Sequence, residues 1–194
     1  NTSGLRAGEA ALQFYTEFSN PVKQHYSWNK SLPSSRNMFL SGDLAMYFGY
    51  ASEILDLRAR NPHLNFDVAM VPQAGGAGQS GKTSTMLTFG QIQGVAVVKA
   101  TKNPQGAIYA ALVLSSKEVI APLGISTELP PVRRDLIAVR PSGAVQSIFY
   151  DSALISRAWQ DPSPDETDAL FMSMLENITS GRGVISEALV VAHS

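Results

Sequence analysis

Four residues have the spacing of a phosphate-binding loop. Gly76, Gly81, Lys82 and Thr83 fit G-x-x-x-x-G-K-[ST]. In such a loop the backbone N–H groups cradle phosphates, the lysine reaches their outer oxygens and the threonine hydroxyl meets magnesium. That chemistry needs a strand before the loop and a helix after it. Residues 66–71 (FDVAMV) read as the strand. Residues 84–98 do not read as the helix, because Gly90, Gly94 and several β-branched side chains interrupt any 3.6-residue period. A Gly/Ser loop between two strands explains the match better, and a nucleotide-binding protein using residues 76–83 stands as the alternative.

Other chemistry-bearing residues are scattered. His25, His63 and His193 are far apart, without the H-x-x-x-H or H-E-x-x-H spacing of a zinc site. No G-x-S-x-G elbow is present to raise a serine nucleophile. Asp161, Asp165, Glu166 and Asp168 lack the glycine and alternation of a calcium loop, and suit the positive end of a helix starting there. No catalytic residue, metal or cofactor is therefore expected. Three aromatic residues near turns remain: Tyr26, Trp28 and Tyr50. Such rings can stack on the apolar face of a ligand, although packing alone also accounts for them.

Composition narrows the classes further. The 194 residues are 44% hydrophobic and 16% charged, with a net charge of −1 and no cysteine. Disulfide scaffolds and thiolate chemistry are impossible. Near-neutral charge removes the basic footprint of a nucleic-acid binder. No apolar run approaches the roughly 18 residues that span a bilayer. The chain starts at Asn1, as expected of a processed or excised polypeptide.

The elements that must position these residues alternate between helical and strand-like patterns. Helices are expected over 5–18, over a short stretch after Ser34-Ser35 stopped by Gly42, and from Ser52 to Asn61-Pro62 with Ile54, Leu55 and Leu57 on one face. Strands are expected at 44–48, 66–71 and within 86–99. Asn103-Pro104 is a helix start, as cap and first position. Further helices are expected at 116–121, 144–159, from a Ser163–Glu166 capping box to Ile178, and over 184–192. Residues 124–134 read as an irregular connection. The fold class is α/β, mixed and helix-rich.

Several blocks together resemble family 1 extracellular solute-binding proteins of ABC importers. They are ALQFYTEF from Ala11, YSWN from Tyr26, MFLSGDLAM from Met38, FGYASE from Phe48 and NFDVAMVP from Asn65. GVAVVKATKN from Gly94, LPPVRRD from Leu129, SGR from Ser180 and EAL from Glu187 follow in the family's order. Phe39, Gly42 and Ala45-Met46 form the most telling pattern.

The resemblance implies a bacterial, non-catalytic protein of the periplasmic-binding-protein type 2 fold. Two α/β lobes close on a solute, often a sugar, and pass it to a membrane permease. It implies an extracellular or periplasmic location and a lipid anchor. The family fold is about twice this length, more than one ordinary domain, so the chain matches its later half and is an incomplete lobe structure. Residues 1–95 and about 141–194 would belong to the C-terminal lobe, and about 100–140 to the N-terminal lobe. Ligand contacts would fall at Gly49 and Tyr50, at Trp28, and at Phe89-Gly90 near the interlobe crossing. A partial lobe would expose apolar surface and self-associate. A structural or partner-binding domain, with the rings of Trp28 and Tyr50 both buried, is a further alternative. Sequons at Asn1, Asn29 and Asn177 would matter only in a eukaryotic secretory pathway.

Overall fold

The computed structural model describes residues 2–73 and 86–185. The 76–83 loop and most of the expected 184–192 helix lie outside the described residues. In order, the elements are α1 (Thr2–Glu17), α2 (Ser35–Ser41), a 3-10 turn (Ala51–Glu53), α3 (Ile54–Arg60), β1 (Thr88–Phe89), α4 (Pro104–Leu114) and α5 (Lys117–Thr127). They continue with α6 (Arg134–Ile137), α7 (Ala144–Leu154), β2 (Ser156–Arg157) and α8 (Pro164–Thr179). The chain divides into two compact units: Asn1–Pro33 with Trp159–Ser194, and Ser34–Ala158.

In the first unit α1 packs along α8. Among the described residues of this unit, Leu12 on α1 and Met174 on α8 are the buried side chains. Phe14 and Phe18, one helical turn apart, meet edge to face at 5.1 Å. Helix α8 starts with Pro164 at its first position, but the expected capping box does not form. The Ser163 hydroxyl makes no capping bond. Asp161 takes over one half of the box: its Oδ1 accepts the Ser163 amide at 3.0 Å, and also the Thr167 hydroxyl at 2.9 Å. Lys30 donates to Glu176 at 2.8 Å. This bond, ahead of the weaker pull of Arg182, holds the Glu176 carboxyl below its ordinary range.

In the second unit the short helices follow their caps. Ser34 accepts the Asn37 amide to open α2, and Gly42 closes it at φ 85°, a left-handed turn that glycine adopts without strain. Asn103 accepts the Gly106 amide at 3.0 Å and Pro104 begins α4. Ile54 and Leu57 on α3 are buried. Leu55, expected on the same face, is exposed.

Two helix boundaries differ from expectation. Helix α5 continues through Thr127, although 124–134 read as irregular. Its last turn is closed by the Ser126 and Thr127 hydroxyls, which donate to the Leu123 carbonyl at 3.0 and 2.7 Å. Helix α7 ends at Leu154 rather than near Trp159, because the chain turns directly into β2. The helix α4 is apolar around its whole circumference yet has no buried residue, and Ile108, Tyr109, Leu112 and Leu114 are exposed.

The strand expectations are met only in part. Strands β1 and β2 form a two-stranded parallel sheet, with Thr88 opposite Ser156 and Phe89 opposite Arg157. Residues 66–71 alternate in burial, with Phe66, Val68 and Met70 half-buried and Asp67 and Ala69 exposed, but join no ladder among the described residues. Residues 44–48 form no strand either, and Met46 and Phe48 are exposed. Alternation gives an extended segment one inward face; a strand also needs a neighbour to take its N–H and C=O groups. The result is a helix-rich chain with a small parallel sheet, compatible with a mixed α/β class.

Candidate functional site

The Gly49–Tyr50 turn lies between α2 and α3, and a single carboxylate organises it. The Tyr50 amide donates to Glu53 Oε1 at 2.9 Å, and the Glu53 amide donates to the Tyr50 carbonyl at 3.0 Å. Glu53 Oε2 accepts the Tyr47 hydroxyl at 3.0 Å and pairs with Arg36 Nε at 3.2 Å. Glu53 is the third residue after Tyr50, the position from which a glutamate reaches back to the amide that opens a helix. The expected cap, Ser52, is not the residue used.

The charges around this turn cancel. Arg36 bonds Asp56 as well as Glu53, and Arg60 reaches Asp56 at 3.0 Å from one helical turn away. Burial pushes the Asp56 carboxyl up, but hydrogen bonds and charge from Arg60, then Arg36, outweigh it and leave the group below its ordinary value. The Tyr47 phenol is pushed up to about 12, first by burial, then by its bond to Glu53 and that carboxylate's charge, against a smaller opposing effect of Arg36. Two cations and two carboxylates thus neutralise one another beside Tyr50.

Aromatic packing fixes Tyr47 from the other side. Its ring lies 4.9 Å from Phe39, which meets Phe66 edge to face at 5.5 Å. Gly49 makes room for this: a β-carbon there would lie 2.9 Å from the Tyr47 hydroxyl oxygen. Tyr50 itself remains 44% exposed and faces Phe89, 51% exposed, at a centroid distance of 6.4 Å. Phe89 is held by β1, whose flanking amide Gly90 N–H donates to the Arg157 carbonyl at 3.0 Å.

Of the residues singled out from sequence, Tyr50 and Phe89 come together. Gly49 and Gly90 are each explained by a close approach, to Tyr47 and Ser156 respectively. Trp28 lies in the other unit, half-buried, with its ring 5.0 Å from Tyr15. Glu53, Tyr47 and Arg36 went unnoticed in the sequence; the Tyr-x-x-Glu spacing at 50–53 was the available signal. Residues 86–100 contain β1 and no helix, so the described chain after the 76–83 loop lacks the helix a phosphate loop requires. His25 sits beside the Phe18 ring, 3.9 Å from Glu17. Among the described residues no group of three His, Asp or Glu side chains could hold a metal ion.

The exposed Tyr50 and Phe89 rings thus lie beside a charge-balanced turn. Residues 1–147 match the family of bacterial extracellular solute-binding proteins, and the chain belongs to that family. No curated protein matches the chain at a significant level. No single described helix is long and apolar enough to cross a membrane.

Proposed function

We propose that this chain forms part of the sugar-binding component of a bacterial ABC importer, non-catalytic and held at the cell surface by a lipid anchor. The observation that carries the reading is the exposed Tyr50–Phe89 pair. Pyranose rings present apolar C–H faces, which stack on aromatic rings, and hydroxyl edges, which hydrogen-bond to polar neighbours. The mutual neutralisation of Arg36, Arg60, Glu53 and Asp56 favours a neutral solute over a charged one. Trp28 is a second proposed contact. Gly49 and Gly90 shape the backbone at the site. Residues 1–95 and about 141–194 are assigned to the C-terminal lobe and about 100–140 to the N-terminal lobe, with a permease as downstream partner.

A thermal-shift series with maltotriose, a polyol such as mannitol, and magnesium–ATP tests the reading. A solute at a hundred times its dissociation constant adds about 2.7 kcal/mol, a readable shift. Stabilisation by the sugar, reduced in Tyr50→Ala, is the expected result. Stabilisation by magnesium–ATP alone would overturn the proposal in favour of a nucleotide site.

A further inference from the structure

We propose that Glu53 is the positioning residue of this site: its two carboxylate oxygens lock the Tyr50 backbone and the Tyr47 side chain into one frame, so that the Tyr50 ring is presented to a solute in a preset orientation. The inference rests on the reading of Tyr50 as a solute contact.

Four bonds converge on one residue. Oε1 takes the Tyr50 amide, Oε2 takes the Tyr47 hydroxyl and Arg36 Nε, and the Glu53 amide returns to the Tyr50 carbonyl. Both peptide groups of Tyr50 that could otherwise rotate are therefore tied to the first turn before α3. The side chain that a β-carbon on Gly49 would meet is the Tyr47 ring, and that ring is itself anchored on Glu53. Helix α3 in turn is fixed by buried Ile54 and Leu57, immediately after Glu53 in the chain. The frame thus runs from buried side chains to Glu53 and from Glu53 to Tyr50. A loop held this way pays less ordering entropy on binding than one that must be immobilised by the solute.

Glu53 itself need not touch the solute, because each of its carboxylate oxygens already has a protein partner. Its effect on affinity would act through Tyr50. This separates Glu53 from Tyr50 and Phe89, whose substitution removes contact surface.

Three variants test the inference: Glu53→Ala, Glu53→Gln and Tyr47→Phe. The ligand-free readout is hydrogen exchange at the Tyr50 amide. In Glu53→Ala it should accelerate by about tenfold, the equivalent of one lost hydrogen bond. In Glu53→Gln it should stay within about threefold of the parent chain, since the amide oxygen can still accept. Tyr47→Phe should leave it close to the parent value, because it removes one of the two Oε2 partners and leaves the Oε1 bond to the Tyr50 amide. Protection at Ile54 and Leu57 should be unchanged in all three, reporting that α3 remains folded. The binding readout is maltotriose affinity, expected to fall roughly tenfold in Glu53→Ala and to be largely rescued in Glu53→Gln. Unchanged Tyr50 exchange in Glu53→Ala would overturn the positioning role, whatever the sugar does. Accelerated exchange with no maltotriose binding by the parent chain would instead leave the frame standing and retire the sugar reading.

Discussion

A β-carbon on Gly90 would lie 2.7 Å from Cβ of Ser156 and 2.9 Å from its hydroxyl oxygen. The two residues flank and form the parallel pairing that holds Phe89 opposite Arg157. Glycine at 90 is therefore a packing requirement of the β1–β2 contact. Gly90→Ala should destabilise the chain by about 1–3 kcal/mol, the usual range for overpacking. Removing the obstructing side chain with Ser156→Gly in the same molecule should recover most of that loss. Urea denaturation of the single and double variants measures both, and equal stability of Gly90→Ala and the parent would refute the close approach.

The Tyr47 phenol gives the protein an alkaline sensitivity. Its folded value of about 12 lies above the ordinary 10.0, so the folded state favours the protonated phenol. The stabilisation linked to this group is complete below the unfolded value and is lost as pH rises from there toward 12. Absorbance of tyrosinate near 295 nm should show one late-titrating phenol that vanishes in Tyr47→Phe. That variant should also lose the corresponding part of the alkaline decline in stability.

Glu128 closes α5 in a left-handed conformation, φ 57°. Its Oε2 accepts Arg58 at 2.9 Å and Gln146 at 2.8 Å. Both Glu128→Ala and Glu128→Gly lose those bonds, but only glycine adopts the left-handed region without a β-carbon clash. Glu128→Gly should therefore be more stable than Glu128→Ala by about 1 kcal/mol. Thermal or urea unfolding of the pair decides this, and the reverse order would show that the conformation relaxes in the variants.

The exposed apolar helix α4 predicts self-association of the chain as it stands. A helix apolar on all sides is ordinarily enclosed, and Tyr109 and Leu112 are 71% and 65% exposed. Light-scattering mass should rise with concentration and fall back toward monomer in a Tyr109→Lys, Leu112→Lys variant. A constant monomer mass for the parent chain would remove the prediction.

Much of the helical framework was legible without coordinates, because its signals are local. Asn103-Pro104, Ser34 and Gly42 act on backbone groups within a few residues, and each does so here. The family was also legible, since short blocks kept their order over the chain and residues 1–147 match it. Less of the candidate site could be read. The aromatic type of Tyr50 and Phe89 and their place near turns suggested contact residues, but thirty-nine positions of sequence say nothing of a 6.4 Å approach.

Sequence by itself determined where the backbone had local reasons to turn, start or stop, and which residues lacked the spacing for metal or nucleophilic chemistry. Tertiary structure decided everything that needs a distant partner. The stretches expected as strands at 44–48 and 66–71 join no ladder among the described residues, whereas the two-residue β1 pairs with β2, far along the chain of the second unit. Likewise Ser52 and Ser163 looked like caps, but Glu53 and Asp161 supply the carboxylates that reach the amides. Propensity ranks the residues that can make a bond; only the folded chain fixes which donor lies within 3 Å of which acceptor.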